Sequence, residues 1–161
     1  MAKIDPDVEE QLHAARSELR RVDHLIYVSL KYTRTVDVIR NTVARIINTY
    51  DCGVLALLMH LKSKKKIKDY PSNPGMKVEL LEKKFADDYL KKGLEFYLLL
   101  RRVMKTDYTK REEYRRHVTM TTIFDNNTNL EIDIDKLEEY YKETKEFINY
   151  ITDLIIGKKD D

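Results

Sequence analysis

Arg111 and His117 stand with five residues between them, in the stretch Arg111-Glu112-Glu113-Tyr114-Arg115-Arg116-His117. Cleaving RNA without a metal needs a group that moves a proton near neutral pH and a cation that stabilises charge developing at phosphorus, and imidazole with guanidinium supplies both. The pair sits inside a basic cluster, Arg101, Arg102, Lys105, Lys110, Arg111, Arg115 and Arg116, opposed by only Asp107, Glu112 and Glu113. Tyr108, Tyr114 and His117 are interleaved with these cations. Rings that stack on unpaired bases beside guanidiniums that hold phosphates are what single-stranded RNA binding requires. A second basic run, Lys62, Lys64, Lys65, Lys66 and Lys68, precedes Pro71 and Pro74. The competing reading of both runs is a solvated face matched by Glu and Asp elsewhere, and of His117 an ordinary surface histidine.

Other chemistries lack their residues. The histidines at 13, 24, 60 and 117 form no i, i+3 or i, i+4 pair and no His-Glu-x-x-His, so no metal site is expected. Glycines at 53, 75, 93 and 157 are too scattered for a phosphate-cradling loop, and no cofactor is implied. Cys52 is alone and lies in the most apolar region, where burial raises a thiol's pKa; a structural role is expected.

The elements that must position these residues are mostly helical. Asp5-Pro6 is a helix start, and Val8, Leu12, Ala15, Leu19, Val22 and Ile26 then recur at heptad spacing, which predicts an amphipathic helix over 6–32 with a kink or break between Tyr27 and Asp37. Thr33 or Thr35 can cap the next helix, which carries Val36, Ile39, Val43 and Ile46, is disturbed near Cys52 and Gly53, and continues through the apolar run Val54 to Leu61. Lys62 to Gly75 is expected to be a loop. Helical spacing returns at Val78, Leu81 and Phe85 and again from Leu90 to Leu98, with Asp87 or Asp88 as a cap. Residues 118–134 change to a period of two around turn-forming Asp125 to Asn129, which predicts a β-hairpin. Asp135 with Glu138 reads as a capping box for a last helix that presents Leu137, Tyr141, Thr144, Ile148, Ile151 and Ile155 on one face and ends at Gly157, before a frayed tail at 158–161.

The chain has 161 residues, 42% of them hydrophobic, and a formal charge of +2. A single domain over 1–161 is expected, and the near-neutral balance excludes a protein that coats nucleic acid over its whole surface. Charged residues make up 36% with one glutamine, which points to a heat-adapted source. The first ten residues lack the apolar stretch of a secretion signal, and no apolar run approaches 18 residues, so a cytoplasmic location away from membranes is expected.

The order of an apolar central helix (Val54-Leu55-Ala56-Leu57-Leu58-Met59-His60-Leu61), a basic proline-containing loop, a short helix, a longer helix ending Leu98-Leu99-Leu100-Arg101-Arg102-Val103-Met104-Lys105-Thr106-Asp107-Tyr108, and a final amphipathic helix resembles the HEPN domain, the higher eukaryotes and prokaryotes nucleotide-binding helical bundle, in the form that accompanies nucleotidyltransferases. The resemblance covers 36–156 and implies an all-α antiparallel bundle of four to six helices, with the hairpin as an insertion, that forms a homodimer and partners a nucleotidyltransferase or RNA. Many such domains are metal-independent ribonucleases with an Arg, four to six residues, then His, which Arg111 and His117 satisfy. Glu112 replaces the polar residue that the family carries after the arginine, and the better-aligned Arg102 meets Asp107 where a histidine belongs. Three functions follow as expectations. The first is a non-catalytic HEPN-like module that binds protein or RNA through Arg101, Arg102, Lys105, Tyr108, Arg115 and Arg116, with Lys64, Lys65 and Lys66. The second is a ribonuclease with Arg111 and His117 as the catalytic pair. The third is a scaffold oligomerised through the N-terminal heptads.

Overall fold

The computed structural model describes residues 4–125 and 127–157, and the tail at 158–161 lies outside them. Helix α1 spans Pro6–His24, with Pro6 in its first turn and the Asp5 carboxylate accepting from the Asp7 N–H at 2.8 Å. Its heptad residues are at most 8% exposed within this one chain, so the seam is consumed internally. The expected kink is a π-helical turn, Leu25–Ser29, followed by a short α2 (Leu30–Tyr32) and a break over residues 33–35. Thr35 then caps α3 (Val36–Ser63), its hydroxyl accepting from the Val38 N–H at 3.3 Å. A connection this short makes α1 and α3 antiparallel neighbours, and theirs is the most extensive helix pairing in the chain.

Contrary to expectation, α3 runs through Cys52 and Gly53 without interruption. Gly53 serves packing: a Cβ there would lie 2.8 Å from Cδ1 of Ile148 on the last helix. By length and composition α3 is long and apolar enough to cross a membrane, which run length alone had not suggested, and 61% of its most apolar window is buried against the rest of the chain.

The loop after α3 occupies residues 64–73 and buries Ile67. Asn73 and Pro74 start α4 (Pro74–Lys84), so Gly75 is helical. Asp87 caps α5 (Asp88–Met104) through the Leu90 N–H at 3.0 Å. Tyr108, expected at the end of that helix, instead begins a strand.

Strands β1 (Tyr108–Arg111), β2 (Thr119–Ile123) and β3 (Asn129–Ile132) form an antiparallel sheet in that order. The expected hairpin is β2–β3, with Met120 opposite Ile132; β1 adds a third strand, with Arg111 opposite Thr119. The chain is therefore mostly helical with a small sheet. Val118, Met120, Phe124 and Ile132 join the helical core. Arg40 of α3 fastens the sheet to the helices: it donates to the Met104 carbonyl at 3.3 Å and lies 4.1 Å from the Tyr108 ring centre.

The last helix, α6, spans Ile134–Ile156 and is capped by Asp133, which accepts from the Lys136 N–H at 2.8 Å, two residues ahead of the expected Asp135 box. Its buried face carries Tyr140 and Phe147 in addition to the expected aliphatics, while Tyr141 is only half-buried. Gly157, at φ 85°, ends it as expected.

Candidate nucleic-acid interface

The loop after β1, residues 112–118, is rigidly held. Tyr114 donates its N–H to the Arg34 carbonyl, Arg115 to Glu112 and Val118 to Arg115, at 2.6, 3.1 and 3.1 Å. The Glu113 carboxylate accepts from the Val36 N–H at 2.9 Å, capping α3 from outside that helix. Glu112 and Tyr114 adopt φ of 59° and 66°. Non-glycine residues held at positive φ cost about 1–3 kcal/mol each and gather at functional sites. What the loop presents to solvent is Tyr114, 78% exposed, followed by exposed Arg115, Arg116 and His117. Its anchor, Arg34, lies two residues past Tyr32, which is 85% exposed. The open Tyr114 ring and a run of cations therefore share one corner with the break that follows Tyr32.

Behind the loop lies a cavity of about 330 Å³ to which Arg34, Arg116 and His117 contribute. Ile26, Tyr27 and Leu30 of the π-turn region and Ile134 of α6 supply its apolar surface. Arg34 Nε is buried without a hydrogen-bond partner. Such an orphaned buried donor calls for a physical explanation.

Most of the remaining residues of the Arg101 to Arg116 cluster have other occupations. Arg101 donates to Asp51 at 3.1 Å, and the Tyr97 hydroxyl bonds the same carboxylate. Arg102 lies 4.4 Å from the Phe124 ring centre. Lys105 is exposed at the C-cap of α5. Lys110 pairs with Asp37 at 3.4 Å. One face of Tyr108 is covered by Arg40, which leaves it a poor stacking platform. Arg111 pairs with Glu131 at 3.1 Å and is not among the cavity residues, so His117 has Arg34 and Arg116 for company there. Among the described residues no ion pair engages Arg115 or Arg116.

Lys64, Lys65 and Lys66 are exposed just beyond the C-terminus of α3, whereas the Tyr114 corner sits at its N-terminus. A helix of 28 residues is about 42 Å long, so the two basic clusters do not form one site. Among the described residues no three His, Cys, Asp or Glu side chains gather as metal ligands. Cys52 is half-buried, and burial, then Glu18 and Asp51, raises its thiol pKa. Arg34 and Lys31 carry no local signal in the sequence, because only the π-turn and the break after it bring them to the loop.

No family model, curated protein or solved structure matches the chain.

Proposed function

We propose that this chain is a non-catalytic, HEPN-like helical module that binds single-stranded RNA through the corner formed by Arg34 and the loop from Tyr114 to His117. The observation that carries this reading is the Tyr114 ring, 78% exposed on a loop tied down by its own backbone, beside Arg115 and Arg116, which no ion pair engages among the described residues. A large aromatic ring held in water by a strained backbone gains nothing for folding. It can gain stacking energy from an unpaired base while Arg115 and Arg116 hold the flanking phosphates. Because the loop backbone is already tied down, binding loses less conformational entropy than it would on a floppy loop.

The non-catalytic half of the proposal rests on Arg111. Its guanidinium is engaged by Glu131 and His117 faces a different set of residues, which disfavours the two acting as one catalytic pair. The homodimer implied by the resemblance belongs to the same proposal and is read from the mass in solution by light scattering.

The test is fluorescence anisotropy with a labelled single-stranded RNA. Binding that weakens steeply with salt, and that falls in the Tyr114→Ala variant while the fold is kept, is expected. Absence of binding at low salt would overturn the proposal. Product formed from RNA in the presence of a chelator and lost in His117→Ala would replace the non-catalytic reading with the ribonuclease one.

A further inference from the structure

The cavity behind the loop carries opposite charges on different elements. Lys31 and Arg34 reach it from α2 and the break that follows, and Arg116 from the loop. Asp133, Asp135 and Glu138 reach it from the first turns of α6. Yet among the described residues no ion pair joins the two sets. Opposite charges that line one cavity without closing on each other leave both sets free for a ligand with an anionic part and a donor-bearing part. The apolar surface of Ile26, Leu30 and Ile134 with the Tyr27 ring suits a flat, weakly polar body between them, and the volume of about 330 Å³ falls within the usual range for small-ligand pockets.

Resting on the RNA-binding reading above, we infer that this cavity receives one nucleotide of the bound strand and selects guanine. The choice of base follows from the carboxylates. An ionised carboxylate only accepts hydrogen bonds, through two oxygens side by side. Guanine alone among the four RNA bases offers two adjacent donors on its pairing edge, the ring N1–H and the exocyclic amine. Adenine and cytosine each place a ring acceptor beside the amine, which a carboxylate repels, and uracil flanks its one donor with carbonyls. Glu138, half-buried in the second turn of α6, and Asp135, exposed in the first, are the carboxylates free to make this contact, since Asp133 is already bonded to the Lys136 N–H. Arg116 and Arg34, the cations that line the cavity beside the loop, then serve the phosphate of the same nucleotide.

The test compares three labelled oligouridine strands that differ at one central position, which holds guanosine, inosine or adenosine. Inosine keeps the N1 donor and lacks the amine. Guanosine is expected to bind about tenfold more tightly than either, the usual worth of a bidentate base contact. Glu138→Gln combined with Asp135→Asn is expected to abolish that preference while leaving affinity for plain oligouridine unchanged or raised, because two negative charges leave the site. Equal affinity for the guanosine and inosine strands overturns the guanine pocket while RNA binding stands. A guanosine preference that survives the double substitution overturns the assignment to these carboxylates. No binding of any strand removes the RNA reading and this inference together.

Discussion

The backbone N–H of Tyr114 donates to the carbonyl of Arg34 at 2.6 Å, which ties the loop after β1 to the break between α2 and α3. Tyr114 holds φ at 66° to make this bond. Glycine adopts that angle freely, so Tyr114→Gly separates the backbone from the ring. Release of strain of about 1 kcal/mol is offset by glycine's larger unfolded-state entropy, and the melting temperature is expected to stay within a few degrees of the parent. RNA affinity is expected to fall by about 1–3 kcal/mol, roughly 5- to 150-fold, from loss of one stacked base. A large drop in melting temperature, or unchanged affinity, would show that the ring serves the fold or nothing at all.

Close approach of α5 to α6 depends on Gly93. A Cβ there would lie 2.3 Å from both Cδ1 and Cε1 of Phe147, so the ring, 1% exposed, would have to shift from its packed position. Gly93→Ala is expected to destabilise the chain by about 1–3 kcal/mol through overpacking. Phe147→Leu removes the ring atoms that collide, so the double variant should be more stable than the sum of the two single losses by at least about 0.5 kcal/mol. Urea unfolding of all four proteins measures this, and strict additivity would mean that the two residues do not oppose each other.

How far the sequence reveals the fold depends on how local each determinant is. Asp5, Pro6 and the heptad residues of α1 act within a few positions of one another, and they were legible. Strand β1 was not, because Tyr108-Thr109-Lys110-Arg111 has no alternating apolar face; its pairing with Thr119 to Thr122 supplies what its own side chains lack. On α6 the buried stripe includes Tyr140 and Phe147, adjacent on the helix surface to the expected positions, because the neighbours α5 and α3 set the helix rotation. Of the candidate interface, Tyr114, Arg115, Arg116 and His117 were visible as an aromatic-basic run. Their neighbour Arg34 was not, since it comes from a distant segment, and the pairing of Arg111 with Glu131 crosses the sheet.

His60 gives the chain a pH-dependent component of stability. Burial, and then the charge of Lys64, lowers its pKa below the ordinary 6.5. Between the lowered folded value and 6.5 the unfolded chain binds a proton that the folded imidazole refuses. The contribution is therefore fully present above pH 6.5 and is lost as the pH falls through that value towards the folded pKa. His60→Gln is expected to flatten this part of the stability profile, read from urea midpoints at a series of pH values. A profile of unchanged slope would place the dependence on other groups.

Salt dependence distinguishes the two ends of α3. Each phosphate contact on a single strand contributes about 0.7 to the slope of log affinity against log salt. If Arg115 and Arg116 each hold a phosphate, changing both to Gln should lower the slope by about 1.4. Lys64, Lys65 and Lys66 lie about 40 Å away along the helix, so changing all three to Gln should leave the slope for a short RNA unaltered. A strand of five or six nucleotides is needed, because it is too short to span both ends. A slope that follows the lysines and ignores the arginines would move the interface to the loop after α3. The Tyr114 corner would then be left with an exposed ring and no ligand for it.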